Sequence, residues 1–188
     1  MQREKLNLFY KDYAHPKALE EIKNMERFVK ENEEKFVDQF KSYFNQMLEK
    51  ISKSEKKVSI INFYVLRTDI LQQKYRIWIS GYNDFFYMDK QPISICFEIE
   101  ELFQFLVNFN KYLLSNFRRY VEKVTIDDVD VALQSQVLPH LKCMIHLIRL
   151  AVSNQRGNFK IIAGEYRDYF EILYDGLSDG NVAKPHKV

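Results

Sequence analysis

Three side chains with ligand chemistry fall at three-residue steps late in the chain: His140, Cys143 and His146. On a helix, that spacing sets them within about 120° of one another around the axis, near enough to share an ion if the helix end were open. Zinc and similar metals need a converging set, most often of four ligands. The nearest acids, Asp127, Asp128 and Asp130, lie on the far side of Pro139. The neighbours Leu138, Leu141, Met144, Ile145, Leu147 and Ile148 describe a helix set into a core, so histidines packed in or beside that core are the expectation and no metal is assigned. The two thiols, Cys96 and Cys143, stand in apolar runs, away from the glycine turns and polar helix starts that lower a thiol pKa. They read as free cysteines of a reducing compartment. Only five glycines are present, too sparsely placed for a phosphate-cradling loop, and no serine-hydrolase pattern occurs. No catalytic residue and no cofactor is therefore assigned. An enzyme whose acid and base are brought together only by folding stands as an alternative.

Binding chemistry is better represented. Residues 78–89 hold the only tryptophan and a dense set of large side chains with two aspartates. A strand buries one face unless both are covered, so part of this set should form an exposed aromatic patch of the kind that anchors protein partners. Trp78, Tyr82, Asp84, Phe86, Tyr87 and Asp89 are the candidate partner-binding residues. A second, basic group consists of Arg118, Arg119 and Lys123 at the end of a helix, with Arg76 on a neighbouring strand. Cations interleaved with Tyr75 and Trp78 would suit single-stranded nucleic acid, which is the alternative binding reading. Glu165, Asp168, Glu171 and Asp175 would make an acidic ridge if their segment were helical.

The elements that must position these groups follow from periodicity. Residues 1–14 are too apolar for a free tail and should pack, as a short helix or otherwise. Pro16 suits a first helical position, and Ile22, Met25, Val29, Phe36, Phe40, Phe44, Met47 and Ile51 then recur at helical steps. A helix from 16 to 52 would be roughly 54 Å long, more than the ~30–35 Å width of a domain this size. It must bend, at the polar run 30–34, or its stripe must pair with a second copy in a homodimer. From 58 to 99 the period becomes two, and three antiparallel strands are expected at 58–66, 75–82 and 93–99, with 85–88 extending the second or forming a short strand. A helix should run from Glu100 to about Lys123, and another should begin near Ile126 behind Thr125 and Asp128, a capping pair. Pro139 should break or kink it. Residues 159–163 suit a fourth strand. The steps Tyr166, Tyr169, Phe170, Leu173 and Leu177 favour a final helix over a hairpin, though both remain open for residues 159–175.

The expected architecture is α+β: a long N-terminal helix, a small antiparallel meander of three to four strands, and a C-terminal cluster of helices. One domain should span 1–177, with 178–188 a disordered tail. The net charge is +2, from 28 basic and 26 acidic residues, which by itself gives no footprint for nucleic acid. No apolar run is long enough for a membrane span, so a cytoplasmic protein is expected. A small chain of one domain without a catalytic motif has the general character of immunity proteins and inhibitors carried by mobile elements, although no residues are matched. The functional expectation is a non-enzymatic interaction protein that binds, and by binding inhibits, a macromolecular partner.

Overall fold

The computed structural model describes residues 7–117 and 125–177. The chain is an α+β protein that divides into two compact units, one of Met1–Glu31 with Glu100–Cys143 and one of Asn32–Ile99 with Met144–Val188. The expected tail, 178–188, and the basic residues Arg118, Arg119 and Lys123 lie outside the described residues.

The first unit is helical. A π-helical segment, Tyr10–Ala14, leads without interruption into α1, His15–Glu31. Pro16 therefore sits inside a continuous helix and not at its start. The His15 amide bonds to the Tyr10 carbonyl, an i→i+5 step. Widening at this point accommodates a ring that would otherwise strike the preceding turn. Helix α1 packs on α4, Glu100–Phe117, through Phe28 and Phe105, whose ring centroids are 5.6 Å apart. Phe9, Met25, Leu106, Phe109 and Leu113 are buried with them. Helix α5, Ile126–Gln134, opens on the expected Thr125–Asp128 capping box. The Tyr10 hydroxyl donates to the Asp128 carbonyl at 3.0 Å and ties the two ends of this unit's chain together. Helix α6, Val137–Val152, begins after a turn at Ser135 and Gln136. The helix that opens at Ile126 is thus interrupted just ahead of Pro139, as expected. Proline lies in the first turn of α6, where its absent N–H would have had no partner anyway.

The second unit is a five-stranded sheet under helix α2, Glu33–Ser52. Asn32, at φ −118° and ψ 19°, leaves the helical region between α1 and α2, within the polar run where a bend was expected. Glu33 and Glu34 occupy the positive end of the new helix dipole. The strands are β1 Ile60–Val65, β2 Arg76–Tyr82, β3 Ile93–Glu98, β4 Lys160–Glu165 and β5 Phe170–Asp175, in the order β3-β2-β1-β4-β5. Pairing is antiparallel except between β1 and β4, where Ile60 lies beside Lys160 in a parallel register. A short helix α3, Arg67–Leu71, links β1 to β2.

One face of the sheet is the core. Phe44 stacks on Phe63 of β1 at 6.0 Å and Tyr43 on Phe97 of β3 at 3.8 Å. Phe36, Phe40, Phe44 and Met47 are all buried within the chain, so the α2 stripe serves as scaffold. Gly81 permits the close approach, since a Cβ there would lie 2.9 Å from the Met47 methyl.

Two further expectations are corrected. Residues 85–88 are not a strand: Phe86–Met88 is a 3-10 turn, entered through a left-handed Phe86 (φ 51°). Residues 166–177 are not a helix. β4 and β5 form a hairpin closed by a tight turn, in which the Glu165 amide bonds to the Tyr169 carbonyl at 2.6 Å. Short apolar runs satisfy both periods, and here Gly164 decides. A Cβ at that position would collide with the backbone of Tyr169 and Phe170, which glycine alone lets fold back so closely. The four acids form no single ridge in consequence: Glu165 and Asp168 share Arg67 at the turn, while Glu171 and Asp175 pair with Arg149 and Lys160.

Candidate partner-binding surface

The sheet face opposite α2 carries the side chains of alternate parity: Asn62 and Tyr64 of β1, Trp78, Ser80 and Tyr82 of β2, Ser94 and Cys96 of β3. Its polar atoms are largely satisfied among themselves. The Tyr64 hydroxyl lies 3.1 Å from the Ser80 hydroxyl, which lies 2.7 Å from that of Ser94. Burial pushes the Tyr64 and Tyr82 phenols upward, so both remain protonated hydrogen-bonding groups. Asp69 of α3, 5% exposed, holds one end of the layer. It accepts from Arg76 Nε at 3.1 Å, Arg76 Nη2 at 2.7 Å and Trp78 Nε1 at 3.0 Å. Arg76 also lies over the indole, 5.4 Å from its centroid. The strand arginine named for nucleic acid is thus forked onto a carboxylate of its own chain.

Aromatic contacts run on from there. Tyr64 meets Tyr166 at 4.9 Å, Tyr166 meets Tyr87 at 5.2 Å, and Tyr87 lies 3.8 Å from Phe86, which in turn faces Tyr82 at 5.3 Å. The 3-10 turn is thereby laid onto the sheet by its Phe86 and Tyr87 rings.

Its backbone is pinned from below. Asp89 Oδ2 accepts the Asn83 amide at 2.9 Å and Asp89 Oδ1 accepts the Gln91 amide at 3.1 Å. Lys56 pairs with the Asp89 carboxylate and donates to the Gln91 carbonyl. Hydrogen bonds from both amides and from Lys56 hold the Asp89 carboxyl below its usual pKa against the opposing cost of burial. Asn83 Oδ1 accepts the Phe85 amide at 3.0 Å, an Asx turn.

With the chain fixed this way, Phe85 and Met88 have nowhere inward to go. They are 68% and 77% exposed, the two most exposed large apolar side chains among the described residues. They border a groove of ≈ 680 Å³ whose other walls include Glu55, Lys56, Lys90 and Gln91. Of the six residues chosen from sequence, Asp84 is exposed, Trp78, Phe86, Tyr87 and Asp89 are half-buried, and Tyr82 is buried. The first and last of the segment anchor it, while Phe85 and Met88, not singled out, face solvent.

Other candidates fall elsewhere. His140 is buried, its Nδ1 bonded to the Gln136 carbonyl at 2.8 Å. His146 pairs with Glu33 at 3.2 Å. Burial raises the pKa of Cys143, and of Cys96 as well; both are free thiols. No group of three or more metal-ligating side chains occurs among the described residues. Glu165 and Asp168 engage Arg67, Glu171 engages Arg149, and Asp175 engages Lys160.

Comparison with family models, curated proteins and solved structures finds no match in any of the three. Among the described residues no helix is long and apolar enough to cross a membrane.

Proposed function

We propose that this chain is a non-enzymatic protein-binding module, and that Phe85 and Met88 are the anchors its partner receives. The observation that carries this reading is their combined exposure on a braced turn. A flexible loop with apolar residues would fold them in or average them over many positions. Here the Asp89 and Asn83 bonds and the Phe86–Tyr87 ring contacts hold the turn, so presenting the two side chains costs little ordering entropy on association. A thioether and a phenyl ring at the lip of a groove suit an apolar pocket on the partner, with Lys57, Asp84 and Lys90 forming a polar rim. A partner so held would have the covered part of its own surface blocked, which is how an inhibitor or immunity protein acts. Free thiols fit a cytoplasmic setting.

The test is affinity capture from native lysate of the source cells, with wild type and a Phe85→Ser/Met88→Ser variant matched for thermal unfolding. Wild type should retain a partner that the variant releases. Recovery of the same proteins by both would sink the reading.

A further inference from the structure

The tip of the β4–β5 hairpin adjoins the same turn and carries an arginine of unusual circumstances. Arg167 is exposed, in the left-handed region at φ 59°, and its amide donates to the Tyr87 hydroxyl at 3.2 Å. Its guanidinium lies over two rings, 5.2 Å from the Tyr166 centroid and 5.7 Å from that of Tyr87. The hairpin is rich in carboxylates, yet Arg67 holds Glu165 and Asp168, Arg149 holds Glu171, and Lys160 holds Asp175. Among the described residues no carboxylate lies within ion-pairing distance of the Arg167 guanidinium, and none of its N–H groups meets an oxygen. Ring contact orients a guanidinium without occupying its hydrogen-bond donors.

We infer that Arg167 is an oxyanion-reading subsite of the partner-binding surface, and that it takes a side-chain carboxylate, Asp or Glu, from the protein partner. This rests on the reading of Phe85 and Met88 as anchors, and it adds the partner's chemistry: an apolar pocket with an acidic residue beside it. A carboxylate accepts two parallel N–H bonds from an arginine fork, and a pair oriented by Tyr87 and Tyr166 loses little freedom in forming. Phosphate of a nucleic-acid backbone is the poorer fit. Polyanion binding draws on several unpaired cations along a track, whereas Arg67, the cation tied to this hairpin turn, is neutralised by Glu165 and Asp168.

The test uses a phage-displayed library of random peptides selected on the full chain. Selected peptides should carry Asp or Glu beside aromatic or aliphatic residues. As synthetic peptides they should bind Arg167→Gln about tenfold or more weakly than wild type, with Arg167→Lys between. Replacing the peptide's acid by its amide should abolish the difference between wild type and Arg167→Gln, a coupling that a merely structural arginine would not give. Peptides that bind Arg167→Gln as tightly as wild type, yet lose affinity for Phe85→Ser/Met88→Ser, would overturn the carboxylate subsite and leave the anchors standing. Peptides indifferent to Phe85→Ser/Met88→Ser would overturn the anchors themselves, and enrichment of no peptide would count against both. Arg167-dependent binding of oligothymidylate would reassign the subsite to phosphate and overturn the inference.

Discussion

At the scale of single residues, the surface depends on carboxylates facing inward. Asp69 gathers two guanidinium donors and the indole N–H at a buried position, and Asp89 does the same for two amides and a lysine. Removing such an acceptor leaves donors without partners, which costs more than the net worth of the bonds. Asp69→Ala is expected to lower stability by about 2 kcal/mol in denaturant unfolding and to shift the emission of Trp78, the only tryptophan, to longer wavelength. Unchanged emission would show that the indole is held by something else. Sequence reading found the right stretch here, because residues 78–89 are dense in aromatics. It did not resolve which of them face outward. That depends on a left-handed Phe86 and an Asx turn at Asn83, and neither leaves a mark in the alternation of residue types. Arg167 was invisible for a related reason, since its segment was assigned to a helix.

At the scale of elements, legibility followed period and capping. Strands β2 and β3 alternate cleanly, β1 is a β-branched and aromatic run, the break at Asn32 falls in the polar run, and Thr125 with Asp128 marks the start of α5. The β4–β5 hairpin was misread because Tyr166, Tyr169, Phe170, Leu173 and Leu177 satisfy a helical stripe as well as Phe170/Ile172 against Glu171/Leu173 satisfy a strand. The discriminating residue was Gly164. Gly164→Ala must push the β5 backbone away, and is expected to cost about 3 kcal/mol by thermal or denaturant unfolding, at the upper end of overpacking effects. A near-neutral Gly164→Ala would contradict the close approach of the two strands. Pro139 is legible in the same way: the helix begun at Ile126 ends at Gln134 and a new one starts at Val137, with the proline in its first turn.

For the whole molecule, the two units are expected to respond differently to acid. His140 is buried in the helical unit with its pKa pushed down to about 4 by loss of hydration. In an unfolded chain, histidine takes up its proton near 6.5. Between those values the unfolded state binds the extra proton, so stability falls as pH falls through the window, by roughly 3 kcal/mol in all, and rises again on neutralisation. The loss should appear in hydrogen exchange of α4 and α5 before it appears in the sheet, once rates are corrected for intrinsic pH dependence. His140→Gln should flatten it. A wild type that keeps its neutral-pH protection in α4 and α5 at pH about 4.5 would refute the assignment.

The parallel pairing of β1 with β4 sets the order in which this chain can complete itself during synthesis. Ile60 and its neighbours emerge from the ribosome with β2 and β3, and all of α4, α5 and α6 must follow before Lys160 arrives to cover the other side of β1. For that interval the strand destined for the centre of the sheet is an edge, presenting a row of unpaired amides and carbonyls beside Ile61, Phe63 and Val65. Such an edge invites pairing with the wrong chain, and the delay lengthens with the separation of the partners in sequence. Chains truncated short of β4 are therefore expected to aggregate more readily than the full chain. The hairpin that presents Arg167 is also the piece that closes this vulnerable side.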